Sequence, residues 1–369
     1  MAERPLRVGI IGANVSYGWG SRAHIPAILA LPEFELAAVC TAHPETAAAS
    51  AEKFGARLAF HDYHEMVSHP NIDVVAVVVR VPQHRELTMA ALEAGKHVYT
   101  EWPLGANLAE AQEMANLAQA KGVHTMVGLQ ARCSPVYLRM KELVDEGYVG
   151  EVLSCHLRQV GSGGATRTSD RTWQRDSSLG ANTLTIACGH SIDALCMCLG
   201  EFQEASAVVS TQVPRWYETD TNRYVDVTSP DNILISGRLT SGAVASVYVA
   251  STPYHGSGHR VEVYGSKGAL VVEQGSRLLG GTSENATLQE LPIPERLTWV
   301  PSTVPQGSPF NVAQMYRRFG DAIRSGRRAE PDFATAVVRH KLIDAIQRAS
   351  DLGARQQLDL PGHREPLME

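Results

Sequence analysis

The chain has 369 residues, 44% of them hydrophobic, and a formal net charge of −6 from 33 basic and 39 acidic side chains. That length and apolar content suit two buried cores rather than one. No basic block is present to neutralise a phosphate backbone and no apolar run reaches membrane-spanning length, so neither nucleic acid nor a membrane is an expected partner, and small molecules or proteins are.

Strand-like sequence begins at Leu6, which leaves no room for a signal sequence and sets a cytoplasmic expectation. The first third alternates short Val/Ile/Ala-rich runs with helical stretches, the pattern of parallel strands joined by crossover helices. Strands are expected at Leu6-Ile11, Glu35-Cys40, Val74-Arg80, His97-Thr100 and Thr125-Leu129, and helices at Arg22-Ala30, Pro44-Phe54, His61-Ser68, His84-Ala94 and Leu108-Lys121. The first strand runs into Gly12-Ala13-Asn14-Val15-Ser16-Tyr17-Gly18-Trp19-Gly20 and then a helix, the setting in which a glycine-rich turn offers backbone amides to a pyrophosphate. Gly12 takes the first place of GxGxxG, Asn14 the second, and the loop is longer before Gly18 or Gly20; a tight turn without ligand reads the same way. At the end of the second strand, where a dinucleotide fold usually carries Asp or Glu, stands Thr41-Ala42-His43. No carboxylate there repels a 2′-phosphate, so NAD and NADP both stay open. Val81-Pro82-Gln83-His84 follows the third main strand at its ligand-bearing carboxyl end, although His84 by itself is more often a helix-start residue than a ligand.

From about residue 130 the pattern changes. A helix from Pro135 to Glu146 precedes alternating strands at Glu151-Gln159, Glu204-Gln212, Asn232-Thr240, Ala243-Ala250 and His259-Tyr264, joined by turns such as Thr240-Ser241-Gly242. Gly161-Arg171 and Leu279 to Gly307 read as surface loops, and Tyr254, His255 and His259 as decoration of an exposed one. Asn311-Arg324 and Phe333-Ser350 read as amphipathic helices. The expected architecture is α/β: an N-terminal Rossmann doubly wound parallel sheet over residues 1-128, then an α+β domain over residues 129-369 with an open, mostly antiparallel sheet for substrate binding and oligomerisation. Its C-terminal helices are expected to pack back on the first domain. The six scattered cysteines read as buried thiols. No metal is expected at Cys188, His190, Cys196 and Cys198, because Cys196 and Cys198 point to different sides of a buried helix, Ser191 to Leu199.

Two segments carry a family resemblance. Glu101-Trp102-Pro103, and Gly180-Ala181-Asn182 through Ile186 to His190 with its lead-in Trp173-Gln174-Arg175-Asp176, resemble signature motifs of the glucose-fructose oxidoreductase / inositol dehydrogenase (Gfo/Idh/MocA) family. There the first reads Glu-Lys-Pro and the second Gly-Gly-Gly followed by Asp, three residues and His. Trp102 replaces the lysine and Ile186 the aspartate, while His190 survives. These departures, with Gln130-Ala131-Arg132-Cys133-Ser134-Pro135, Gly147-Tyr148-Val149-Gly150 and the extended glycine loop, resemble the subgroup of the yeast galactose-regulon repressor.

The resemblance implies an NAD- or NADP-dependent oxidoreductase of a sugar, glycoside or polyol working by hydride transfer, in a homodimer or larger. Cofactor contacts are expected at Gly12, Asn14, Ser16, Trp19, Thr41, Val81, Pro82, His84, Glu101, Trp102 and Gln130, and substrate contacts at Trp102, Arg132, Trp173, Arg175, Asn182 and Asp193. His190 is the expected proton acceptor and donor, since an unperturbed imidazole titrates near ~6.5. Trp102 offers a face for stacking on sugar or nicotinamide, or fills the core of a degenerated site. His190 as a satisfied structural residue, and Arg175 with Asp176 as a surface salt bridge, are the plainer readings. Two alternatives accompany the dehydrogenase: a catalytically silent nucleotide-binding transcriptional regulator, and an NAD-dependent redox-neutral glycosidase.

Overall fold

The computed structural model describes residues 4–15 and 18–359. The chain forms two compact units: one runs to Cys133 and takes up Thr298–Val337, and the other holds Ser134–Leu297 and continues from Val338.

Six parallel strands build the first unit: β1 (Leu6–Ile11), β2 (Phe34–Cys40), β3 (Leu58–Phe60), β4 (Val74–Val77), β5 (His97–Thr100) and β6 (Thr125–Val127). Their order is β3-β2-β1-β4-β5-β6, so the sheet reverses direction of growth between β1 and β4, the place where such sheets open a ligand crevice. Helices α1 (Ile25–Ala30), α2 (Pro44–Phe54), α3 (Tyr63–Ser68), α4 (His84–Glu93) and α5 (Leu108–Lys121) make the crossovers. Asn107 starts α5 by accepting the Glu110 N–H at 3.0 Å, and Gly122 ends it at φ 63°. Covered on both faces, β4 is apolar throughout, with Val74 to Val77 fully buried. Helix Ser308–Ser325 lays Met315, Tyr316 and Phe319 into the same core as Val8, Ile10, Ile28 and Tyr99. Two details differ from the sequence reading. β3 has only three residues, too short to show a period, and β4 stops at Val77 because Val81-Pro82 opens a 3₁₀ turn.

In the second unit, α6 (Pro135–Asp145) and α7 (Gly189–Leu199) accompany a nine-stranded sheet and a three-stranded one. The strands are β7 (Val152–Gly161), β8 (Thr166–Arg167), β9 (Phe202–Ser210), β10 (Arg215–Glu218), β11 (Arg223–Asp226), β12 (Asn232–Leu239), β13 (Val244–Ser251), β14 (Gly258–Gly265), β15 (Gly268–Glu273), β16 (Arg277–Thr282), β17 (Gln289–Glu290) and β18 (Gln356–Gln357). The large sheet runs β17-β16-β15-β14-β7-β13-β12-β9-β18 and is antiparallel except for the β7–β13 pair. Alternation sorts its faces: Ile233, Ile235, Val247, Val249, Val261 and Val263 are fully buried, while Leu153, Val208, Leu234 and Val244 are about half exposed. The small sheet, β11-β10-β8, lies partly in a stretch expected to be loop. β8 is two residues long and exists through its pairing with Tyr217 and Glu218, which no local pattern announces. β16 and β17 likewise fall in or beside the expected loop 279–307, where Gly280-Gly281 breaks the alternation.

All six cysteines are buried thiols. Among the described residues no three His, Cys, Asp or Glu side chains group as a metal site, and no helix is long and apolar enough to cross a membrane.

Candidate functional site

The glycine turn of the first unit fits a pyrophosphate-bearing cofactor. Gly12 closes β1 at φ +99°, and a Cβ there would lie 2.0 Å from the Val78 carbonyl oxygen, so only glycine lets the turn rest against the end of β4. A Cβ on Gly20 would lie 2.8 Å from the Gly12 oxygen, which brings the start of the following helix onto the same turn. That helix start, at Trp19, carries no side-chain cap and no acid in its first turn, leaving its partial positive charge for an anion. Trp19 Nε1 is buried with no partner, an orphaned donor beside the loop. Asn14 is half-buried and Ser16 lies outside the described residues. At the end of β2 the Thr41 hydroxyl joins Thr46 Oγ1 at 2.6 Å and donates to His43 O at 3.2 Å, building the turn into α2. Val81 is buried and Pro82 exposed.

Three expected cofactor contacts are instead spent on the scaffold. Glu101 Oε1 bonds His24 Nε2 at 2.8 Å, and both Glu101 oxygens accept from Gln130 Nε2, at 3.1 and 2.8 Å. His24 Nδ1 in turn shares a hydrogen bond with Tyr316 Oη at 2.8 Å, so one buried network ties the β5 end to helix Ser308–Ser325. His84 places Nδ1 2.8 Å from Pro103 O and Nε2 3.1 Å from Val79 O, both main-chain acceptors, and burial depresses its pKa. The neutral ring donates to one of these carbonyls and turns its other nitrogen to main chain as well, which makes it a packing residue of this loop. Trp102 is 4% exposed, buried where a stacking surface was expected.

The second unit holds a cavity of about 230 Å³ with Arg167, Gln174, Asn182, Ile186, Trp216 and Asp231 in its wall. Asn182 caps the adjoining helix in a reciprocal box: its Oδ1 accepts the Thr185 N–H at 3.1 Å, and Thr185 Oγ1 accepts the Asn182 N–H at 3.0 Å. A π-helical turn, Thr183–Cys188, follows and passes into α7. Thr183, Ile186 and Ala187 of that turn face the cavity, and His190 stands four residues beyond Ile186 in the first turn of α7, half-buried. Burial pushes the neighbouring Cys188 thiol up to about 12, which removes it as a nucleophile.

Several expected substrate contacts fall elsewhere. Asp193 is fully buried and bonded to Arg339 Nε at 3.2 Å, in a cluster where Arg339 also donates to Glu201 at 2.8 and 3.1 Å. It is core scaffolding, because a carboxylate on the inner face of α7 needs a cation to be buried. Arg175 is exposed, donates to the Asp226 carbonyl at 3.1 Å, and is not part of the cavity wall. Arg132 is 2% exposed, and Trp173 is half-buried in the 3₁₀ segment Ser169–Arg175. His259, expected on an exposed loop with Tyr254 and His255, points inward: Tyr137 Oη bonds its Nε2, and its Nδ1 is 2.8 Å from Gln159 Oε1, a cavity residue. Burial pushes it down to about 4. Arg167, Arg171, Gln159 and Trp216 were not anticipated as site residues. The available signal was a pair of arginines four apart in an otherwise small, polar stretch.

Comparison with known proteins agrees with this division. The family described as "Oxidoreductase family, NAD-binding Rossmann fold" matches residues 6–129, and "Gal80p, C-terminal domain" matches residues 135–274. Dehydrogenase aclE of Aspergillus oryzae is 30% identical across 96% of this chain and 98% of its own length. The chain belongs to the Gfo/Idh/MocA oxidoreductase family. Its Gal80-like character is equally plain: the galactose/lactose metabolism regulatory protein GAL80 of Saccharomyces cerevisiae is 30% identical over 73% of this chain and 67% of its own. Among solved structures, levoglucosan dehydrogenase in complex with NADH and levoglucosan superposes with a TM-score of 0.85 at 26% identity, covering 97% of this chain and 99% of that one. The first unit of this Gfo/Idh/MocA chain is therefore an NAD-binding Rossmann fold.

Proposed function

We propose that the chain is a nicotinamide-dependent dehydrogenase that oxidises a secondary alcohol of a sugar or polyol, with the cavity of the second unit as substrate site and His190 as proton acceptor. One observation supports the reading: Thr183, Ile186 and Ala187 of the cavity wall and His190, which is not itself in the wall, belong to one helical run, with His190 one turn beyond Ile186. NAD, when bound, supplies the two-electron acceptor. This chain's own residues hold its pyrophosphate at the Gly12 turn and Trp19, and take the hydroxyl proton on His190. Ile186 stands where the family has aspartate. Levoglucosan dehydrogenase, solved with a sugar and NADH, supports the substrate class.

A regulatory reading has its own observation. Trp102, buried at 4% exposure where the family has lysine, adds no proton-handling group, and the second unit matches the Gal80p C-terminal domain. The half-exposed apolar face of the large sheet, with Leu153, Val208, Leu234 and Val244, supports self-association, which sedimentation measures. Absorbance of reduced nicotinamide during incubation with NAD or NADP and a panel of sugars, glycosides and polyols decides between enzyme and regulator: substrate-dependent turnover establishes the first, and nucleotide binding without turnover the second.

A further inference from the structure

We propose that the cavity of the second unit takes an acidic sugar, whose carboxylate or phosphate is received by Arg167 and Arg171. The inference deepens the reading of this cavity as the substrate site and rests on it. Both arginines line the cavity, and neither has an ion-pair partner among the described residues.

The Arg167 guanidinium lies over the Trp216 ring, 3.9 Å from its centroid, and Nη1 donates to Gln174 Oε1 at 2.7 Å. Its Nε is buried with no acceptor. A buried donor of a charged group without a partner is costly, and unlike the Nε atoms of Arg139 and Arg158, which share that condition, this one belongs to the cavity wall. Burial, and after it the charge of Arg171, hold Arg167 down to about 10, whereas most of the other arginines with a displaced pKa are raised by a carboxylate.

The acids near the cavity are already occupied. Asp231 accepts the Gln212 and Val213 N–H groups at 2.8 and 2.7 Å and Asn232 Nδ2 at 2.9 Å. Glu218, the backbone neighbour of Arg167 across β8 and β10, is held by Thr172, Thr221 and Arg223. Asp220 accepts from the N–H and hydroxyl of Ser169, and Asp170 from the hydroxyl of Thr168. The cavity wall thus keeps two cations against one satisfied carboxylate. Trp216 fixes the plane of one guanidinium, which pre-orients its fork for two oxygens of an anion. A volume of about 230 Å³ is below the roughly 300–1,000 Å³ of drug-sized sites and suits one sugar ring with an acidic substituent.

The test is calorimetric titration of the full chain, without nicotinamide, against D-glucuronate, glucose 6-phosphate and neutral D-glucose. At least one acid is expected to bind roughly 10- to 100-fold more tightly than glucose, and which one binds separates carboxylate from phosphate. Arg167→Gln is expected to abolish the difference. Arg171→Gln, at an exposed position that does not endanger folding, is expected to reduce it severalfold. Equal binding of glucose and the acids, no binding of either acid, or an acid preference that survives Arg171→Gln and Arg167→Gln overturns the proposal. Formation of reduced nicotinamide in parallel samples keeps the two readings apart. Acid binding without turnover sinks the dehydrogenase and leaves the anion site standing, while turnover of glucose as fast as of the acids does the reverse.

Discussion

In the first unit, Glu101, Gln130, His24 and His84 hold one another and the main chain, while in the second Arg167 lies over Trp216 with its Nε unpartnered. The motif residues that look most chemical in the sequence are thus mostly scaffold. The two arginines of the cavity wall, Arg167 and Arg171, come from a stretch with no motif, whereas Gln174, Asn182, Thr183 and Ile186 of the same wall belong to the motif segment. A polar residue is recruited for function only if its hydrogen-bonding capacity is not already used by the fold, and that accounting is visible in three dimensions alone.

Substitutions in each unit test the contrast. The largest effect is expected from Arg339→Ala, which strands Asp193 and Glu201 as buried charges and lowers the unfolding free energy by about 3–5 kcal/mol in a urea melt. A loss below 1 kcal/mol would return Asp193 to the candidate substrate ligands. Glu101→Gln removes the charge that His24 and Gln130 share and is expected to cost about 1.5–3 kcal/mol, with NAD affinity reduced only through stability. A large affinity change at unaltered stability would make Glu101 a cofactor ligand after all. Gly12→Ala, at φ +99°, is expected to cost about 1–3 kcal/mol from backbone conformation and to weaken NAD binding measured by fluorescence titration.

The smallest effect is one of pH. Burial holds His259 neutral, its pKa down to about 4 from 6.5, so the unfolded chain binds a proton that the fold refuses. Its share of stability is complete above pH 6.5 and is lost as pH falls from 6.5 to 4. His259→Gln is therefore expected to make stability fall less steeply across that window, a slope read from melting temperatures. An unchanged slope would mean that His259 protonates freely in the folded state.

Much of the first unit was legible because its strands are buried on both faces and its helices are capped by local residues: β1, α2, β5 and α5 fall at their expected bounds. The second unit was legible where alternation is clean, as in β12 and β13, and opaque where pairing rather than side-chain pattern makes the strand, as in β8, β10 and β11. Gly12 of the turn and Asn182 of the cavity wall were visible through motif context. Arg167 was not, since nothing in Ala165-Thr166-Arg167-Thr168 reveals that Trp216 waits under its guanidinium.

The proposed dehydrogenase activity depends on proton transfer by His190. Formation of reduced nicotinamide should be followed for the unaltered protein and His190→Ala on the same sugar, with NAD binding measured separately in both. The expected result is turnover that drops by roughly 10²–10⁴-fold in the variant while NAD binds as before. An alanine variant that turns over at the unaltered rate, or an unaltered protein that binds NAD and oxidises none of the sugars, contradicts it.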